Sequence, residues 1–174
     1  WGRTISRHDQ RICEGCQVAS LAPGALPEIT SNRKQAIDPI TAYQLTSMMQ
    51  GVVERGTARR AVDLGVPVAG KTGTTNDAKD VWFIGFTNTI AAGCYIGYDR
   101  PRTMGGASGG GMCAPVFNAF MKVAVEKYGA GKFQVPPGGY FVKIDRFTGA
   151  RLSDGASGPN VVAEYFREGE EPIF

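Results

Sequence analysis

The chain has one histidine, His8, set in a polar stretch. A Ser/His/Asp triad needs an imidazole between nucleophile and carboxylate, and no such ordered set surrounds His8, which reads as a surface residue. Apolar runs of the roughly 18 to 20 residues that cross a bilayer are missing too, and the start lacks the charged and apolar regions of a signal peptide. Long basic runs are absent. The 19 Lys and Arg against 16 Asp and Glu leave a net charge of +3, spread thinly and without interleaved aromatics, so nucleic acid is not an expected partner.

Cysteine is sparse, with four residues. Cys13 and Cys16 form a lone C-x-x-C, and only His8 lies near them in sequence. A tetrahedral metal site takes about four ligands, so no complete local site is visible and neither metal nor cofactor is expected. A short-loop disulfide in an oxidising compartment is the preferred reading, with half a metal site as the alternative. The polar surroundings argue against redox catalysis. Cys94 and Cys113 stand in apolar or Gly-rich sequence and read as small core residues.

What is present is the make-up of an ordinary globular protein: 174 residues, 43% hydrophobic and 20% charged, enough for one core. The chain opens at Trp1 and not Met, as a segment of a longer precursor would. Residues 1–38 are polar and irregular, with a short strand expected near Thr4 to Ser6 and breaks at Pro23, Gly24 and Pro27. A helix is predicted next. Asp38 can cap it, Pro39 suits its first position, Leu45, Met48, Met49, Val52 and Val53 form its apolar stripe, and Gly56 stops it. Strands are predicted over residues 66–75, 81–86 and 89–98, joined by links short enough to favour antiparallel neighbours. Residues 105–111 read as a loop and residues 115–128 as a second helix, apolar at Val116, Phe117, Phe120, Met121 and Ala124 and ended by Gly129. A strand over residues 140–145, a turn at Thr148-Gly149 and a solvated acidic end (Glu164, Glu168, Glu170, Glu171) complete the chain.

The most informative stretch is Val68-Ala-Gly-Lys-Thr-Gly-Thr-Thr-Asn76. Side chains alternate along an extended strand, so Thr72 and Thr74 share a face on which two hydroxyls can grip a carboxylate, and Gly73 between them lets a ligand approach the backbone. An edge position would also leave amides free for a substrate peptide or an oxyanion. Residues 65–72 match the P-loop pattern G-x-x-x-x-G-K-[ST]. A P-loop needs an apolar strand before it and a helix opening at the lysine; here charged residues precede, Val-Pro-Val fills the interior and Thr72-Gly-Thr-Thr-Asn76 is a poor helix start. Ser31-Asn-Arg-Lys34 matches S-x-x-K, the pattern in which a lysine deprotonates a serine one turn away. Pro39 follows too soon, and no apolar face would bury the lysine, so a solvated loop is expected. Ser153-Asp-Gly155 resembles S-D-N loosely and lies after the lysine strand, not before it.

Three segments in order carry a family resemblance: residues 38–57, then Ala69-Gly-Lys-Thr-Gly-Thr-Thr-Asn-Asp77 with Trp82-Phe-Ile-Gly-Phe86, then Gly109-Gly-Gly-Met-Cys-Ala-Pro115 before a helix. Together they resemble the C-terminal part of the transpeptidase domain of class A, bifunctional penicillin-binding proteins. The resemblance implies an α/β (α+β) fold of the penicillin-binding protein and serine β-lactamase kind, an antiparallel sheet flanked by helices. It divides the chain into an N-terminal segment, residues 1–38, the transpeptidase part, 39–128, and a C-terminal extension, 129–174.

The resemblance also implies a reaction. A serine attacks a stem peptide ending in D-Ala-D-Ala, D-Ala leaves, and the amine of a neighbouring peptide resolves the acyl-enzyme; β-lactams are captured by the same serine. By position Lys71 is the catalytic lysine of K-T-G, the hydroxyls of Thr72 and Thr74 bind the substrate carboxylate, and the Thr74 amide is the second oxyanion donor. Gly73 keeps the groove open, Thr75, Asn76 and Asp77 line its rim, and Arg55, Gly56 and Thr57 tie the helix end to the sheet. The S-x-x-K helix and S-x-N element that precede K-T-G in the family are not found here, so the nucleophile is expected outside this chain. The expected partners are stem peptides, β-lactams and the upstream part of the same protein, which would also carry any membrane anchor, on the periplasmic face of the bacterial inner membrane. A β-lactamase or D,D-carboxypeptidase of the same superfamily, or a non-catalytic β-lactam or peptidoglycan sensor, is the competing reading.

Overall fold

Asp38 and Pro39 start the first helix for reasons visible at each atom. In the computed structural model, which describes residues 12–14, 28–30 and 34–173, Asp38 Oδ2 accepts from the Thr41 amide at 3.0 Å and from its hydroxyl at 3.1 Å. One of the otherwise orphaned first-turn amides is thereby satisfied, and Pro39 needs no amide partner at the first position. Helix α1 runs Pro39–Glu54, two residues short of the predicted stop at Gly56. Its buried residues are Ile40, Gly51 and Val53, whereas Leu45 and Met48 of the predicted stripe are 48% and 62% exposed. Periodicity marked α1 as amphipathic, and Val52 and Val53 of the stripe do pack on the core, while Leu45 and Met48 fall outside the arc that the rest of the unit covers.

The chain forms two units, residues 1–37 and 38–174. In the first, where no regular structure beyond one short strand was predicted, β1 (Ile12–Glu14) and β2 (Glu28–Thr30) pair antiparallel with Cys13 opposite Ile29. Cys13 is disulfide-bonded, so its sulfur is not a thiolate metal ligand. Cys16, His8, Ser31 and the strand expected near Thr4 lie outside the described residues.

The second unit is built on an antiparallel sheet in the order β3 (Ala69–Thr74), β4 (Asp80–Phe86), β5 (Ala91–Gly97). Along β4 the pleat turns Val81, Phe83 and Gly85 inward and leaves Trp82 and Ile84 exposed. Helix α2, Ala114–Tyr128, covers the inner face with Phe117, Met121 and Ala124, and the Phe83 and Phe117 rings meet edge to face at 4.8 Å. Burying side chains as completely as Phe83 and Met121 contributes about 1.5 to 3 kcal/mol each. Val116 and Phe120, also predicted for the apolar side, are 54% and 59% exposed, because one sheet face accommodates only the Phe117 row.

Residues 105–111, predicted as loop, are more ordered than expected. After Gly105 and Gly106, both at positive φ, Ser108 Oγ accepts from the Gly111 amide at 3.0 Å and a π-helical turn, Gly109–Cys113, leads into α2. Cys94 and Cys113, read as core thiols, are instead a disulfide with Cα atoms 5.3 Å apart. Nineteen residues separate them in sequence, and only the fold of β5 back under this turn brings them together.

Beyond α2, β6 (Gly139–Asp145) and β7 (Val161–Arg167) form a hairpin against α1. The predicted turn is present, with Asp145 Oδ1 accepting from the Phe147 and Thr148 amides at 2.9 Å each. Glu164, expected in solvent, accepts from Ser47 Oγ at 2.8 Å and from Arg55 Nη2 at 3.4 Å. Arg167 reaches Asp38 at 2.7 Å.

Two stability outcomes follow from these contacts. The Thr41 amide, with smaller help from the Thr41 hydroxyl and Arg167 against the opposing effect of burial, holds the Asp38 carboxyl below its usual range. Folding thus favours its ionised form, and the stabilisation is complete above the ordinary aspartate value of about 4 and vanishes as pH falls through the depressed folded value. Thermal unfolding of Asp38→Asn should therefore show a lower Tm than the parent near neutrality and a narrowing gap in acid; a gap that widened in acid would contradict the assignment. Replacing Cys94 and Cys113 together by Ala should lower denaturant-derived stability by about 2 to 4 kcal/mol, and a loss under about 1 kcal/mol would show that the cross-link constrains little.

Candidate functional site

The site is built on the free edge of β3. The Thr75 amide donates to Asp80 O at 3.0 Å, and pairing alternates along an antiparallel ladder, so Lys71 and Gly73 face their β4 partners Ile84 and Trp82. Thr72 and Thr74 therefore turn their N–H and C=O groups outward, along an edge with which no further strand pairs among the described residues. Lys71 is exposed, and its Nζ donates to the outward carbonyl of Thr72 at 2.8 Å.

Side chains follow the other alternation. Thr72 and Thr74 stand opposite the inward-facing Phe83 and Val81, and Lys71 opposite the exposed Ile84. The two hydroxyls thus share a face, as expected, and the lysine rises from the reverse. Each hydroxyl already has a partner: Thr72 Oγ1 lies 2.9 Å from Thr57 Oγ1, and Thr74 Oγ1 accepts from the Gly109 amide at 3.2 Å. Thr57 and Gly109 are therefore neighbours of the site that strand periodicity could not reveal. The Arg55-Gly56-Thr57 signature pointed to Thr57 only as a structural link. Glycine is required at position 109, since a Cβ there would run into the Trp82 carbonyl and come within 2.7 Å of Gly73 O.

Gly73 faces Trp82, whose Cβ would lie 3.2 Å from a Cβ placed there. Thr75 closes the β3–β4 turn, its hydroxyl accepting from the Asp80 amide at 2.8 Å. Asn76 opens a three-residue 3₁₀ turn, Asn76–Ala78. Within it Asp77 and Ala78 adopt positive φ, 61° and 48°, a conformation that costs a non-glycine residue of order 1 kcal/mol or more. Asp77, Ala78 and Lys79 line an open groove of about 570 Å³ with Thr103 and Gly106. Extended backbone at Lys71 with no helix after it is not a phosphate cradle, so the P-loop match is coincidental. Lys34 is exposed.

Comparison with known proteins gives the family. The family described as "Penicillin binding protein transpeptidase domain" matches residues 26–122. The chain belongs to that family. The penicillin-binding protein 1A of Rickettsia bellii is 42% identical over 158 residues, covering 89% of this chain and 20% of the relative, and that of Pseudomonas aeruginosa is 37% identical over 161 residues, 91% and 19%. The crystal structure of penicillin-binding protein 1A from Haemophilus influenzae superimposes with a TM-score of 0.67 at 28% identity, over 79% of this chain and 22% of that one. The chain thus spans about a fifth of the length of the curated relatives it matches, as a C-terminal part of a class A penicillin-binding protein with the α/β transpeptidase fold. Within this transpeptidase segment the family match takes in α1, the β3–β5 sheet and the first turns of α2.

The contact at Gly109 gives a direct test. Gly109→Ala must push the π-helical turn off β3, and overpacking of this kind costs about 1 to 3 kcal/mol. Chemical denaturation should show that loss, while Gly111→Ala, whose Cβ would meet only Ser108 Oγ at 3.1 Å, should cost less. Equal stability of Gly109→Ala and the parent would remove the packing claim.

Proposed function

We propose that this chain supplies the lysine side of a peptidoglycan D,D-transpeptidase site, and that the attacking serine comes from the upstream part of the same protein. The observation that carries the reading is the edge of β3: a cationic Lys71, two hydroxyls on one face and outward backbone groups at Thr72 and Thr74. These are the groups that an acyl donor ending in a carboxylate requires. Thr72 and Thr74 hold that carboxylate, the Thr74 amide donates to the developing oxyanion, and Gly73, Thr75 and Asn76 shape the groove.

In the proposed reaction the serine Oγ bonds to the carbonyl carbon of the penultimate D-Ala. The C–N bond breaks and D-Ala leaves carrying a proton. The amine of a second stem peptide then attacks the ester, loses a proton and releases the serine as its hydroxyl. Lys71 rises from the reverse face, but its ammonium reaches the strand edge at the Thr72 carbonyl, from where it contributes positive charge to the substrate carboxylate and supports proton transfer. Exposed as it is here, that charge is weakened by water, and a covering segment that excludes solvent would strengthen it. Exposed Trp82, Ile84 and Tyr95 on the reverse of the sheet support the same arrangement, since a contiguous apolar face calls for cover. The reading places the protein at the periplasmic face of the inner membrane, held by an upstream anchor.

Labelling with a fluorescent penicillin tests this. The full-length protein should become covalently labelled, and the present chain alone should not, at Ser31 or elsewhere. In the full-length protein Lys71→Ala should slow labelling by about 100- to 1000-fold. Undiminished labelling of that variant would remove Lys71 from the mechanism, and label on the isolated chain would refute a nucleophile from elsewhere.

A further inference from the structure

We infer that Thr57 is a positioning residue that sets the Thr72 hydroxyl to donate its proton to the substrate carboxylate. The inference rests on the acyl-transfer reading and concerns a residue outside the β3 strand. Thr57 Oγ1 and Thr72 Oγ1 lie 2.9 Å apart, from positions 15 residues apart in sequence, and either can be the donor. Each hydroxyl has one proton. If Thr72 donates to Thr57, it presents only lone pairs to an anion. If Thr57 donates to Thr72, the Thr72 proton is free for the carboxylate, and the chain Thr57 to Thr72 to carboxylate is polarised along its length. An anionic ligand selects the second arrangement.

Thr57 is held where it must be for this. Before it, the Arg55 amide donates to Gly51 O at 3.0 Å and the Arg55 guanidinium reaches Glu164. The Arg55 guanidinium folds back over Gly51, where a Cβ would sit 2.8 Å from Nη2. After it, Ala58 is fully buried, and its amide donates to Val52 O at 3.1 Å. On a third side Gly110 lies against the Thr57 carbonyl so closely that a Cβ would come within 2.5 Å. The Thr57 side chain is itself exposed, so its hydroxyl is free to act through Thr72 without a packing role. Exposure also makes the isosteric Thr57→Val a mild change for the fold.

The test uses the full-length protein with a fluorescent penicillin and with the same compound esterified at its carboxylate. Half-saturating concentration and limiting labelling rate are measured separately. For the free acid, Thr57→Val should raise the half-saturating concentration about tenfold and leave the limiting rate within about twofold, and Thr57→Ser should stay within about twofold of the parent on both. With the ester, Thr57→Val and the parent should label alike. Parent-like behaviour of Thr57→Val, an equal loss on acid and ester, or failure of Thr57→Ser to restore affinity would overturn the inference while leaving the acyl-transfer reading intact. Absence of label on the parent would overturn that reading and the inference with it. Should Thr57→Val not fold, Thr57→Ala carries the same comparison.

Discussion

The phase of one hydrogen-bond ladder decides what this segment can present. Because Thr75 bonds inward to Asp80, the residues at 71 and 73 face β4 and those at 72 and 74 turn their backbone outward. Shifted by one residue, the same strand would bury the Thr74 amide in the sheet and move its hydroxyls to the Trp82 face. The register is secured from the core side: a Cβ at Gly70 would lie 2.6 Å from the ring of the wholly buried Phe83, so a slip of β3 that brought Ala69 or Lys71 to that place would collide with the core. Packing far from the edge thus protects the chemistry at the edge.

Glycine and cysteine then bring a second segment against the strand. Gly109 and Gly110 approach Gly73, Trp82 and Thr57 more closely than any side chain would allow, and the Cys94–Cys113 bond anchors that turn to β5. The Thr74 hydroxyl meets the Gly109 amide as a result. From the other direction α1 delivers Thr57 to Thr72, with its C-terminal end tied to β7 through Arg55 and Glu164. That ion pair is partly exposed, with side chains 30% and 18% accessible, so solvent screens it and its value lies in direction more than in energy.

Much of this architecture is legible in the sequence. The cap at Asp38, the three strands, the second helix, the Gly129 stop and the Thr148-Gly149 turn each rest on interactions within a few residues, which propensity and periodicity report. The inward rows were harder. Leu45, Met48, Val116 and Phe120 are apolar yet exposed, since a helix sequence can carry a wide apolar arc while one neighbouring sheet covers only part of it. Glu164 looked solvated because its partners, Ser47 and Arg55, lie more than a hundred positions away. β7 was missed because its pairing partner β6 is 16 to 28 positions back and its support, α1, more than a hundred.

The amino-acid order alone determined the family, the extended course of residues 69–74 and the common face of the Thr72 and Thr74 hydroxyls, because all of these depend on local order and on a two-residue pleat. Tertiary structure decided that β3 is an edge among the described residues, that Cys94 joins Cys113, and that Thr57 and Gly109 hold the two hydroxyls. Those facts depend on distances between segments 15 to 35 residues apart, and such distances are set only when the core closes.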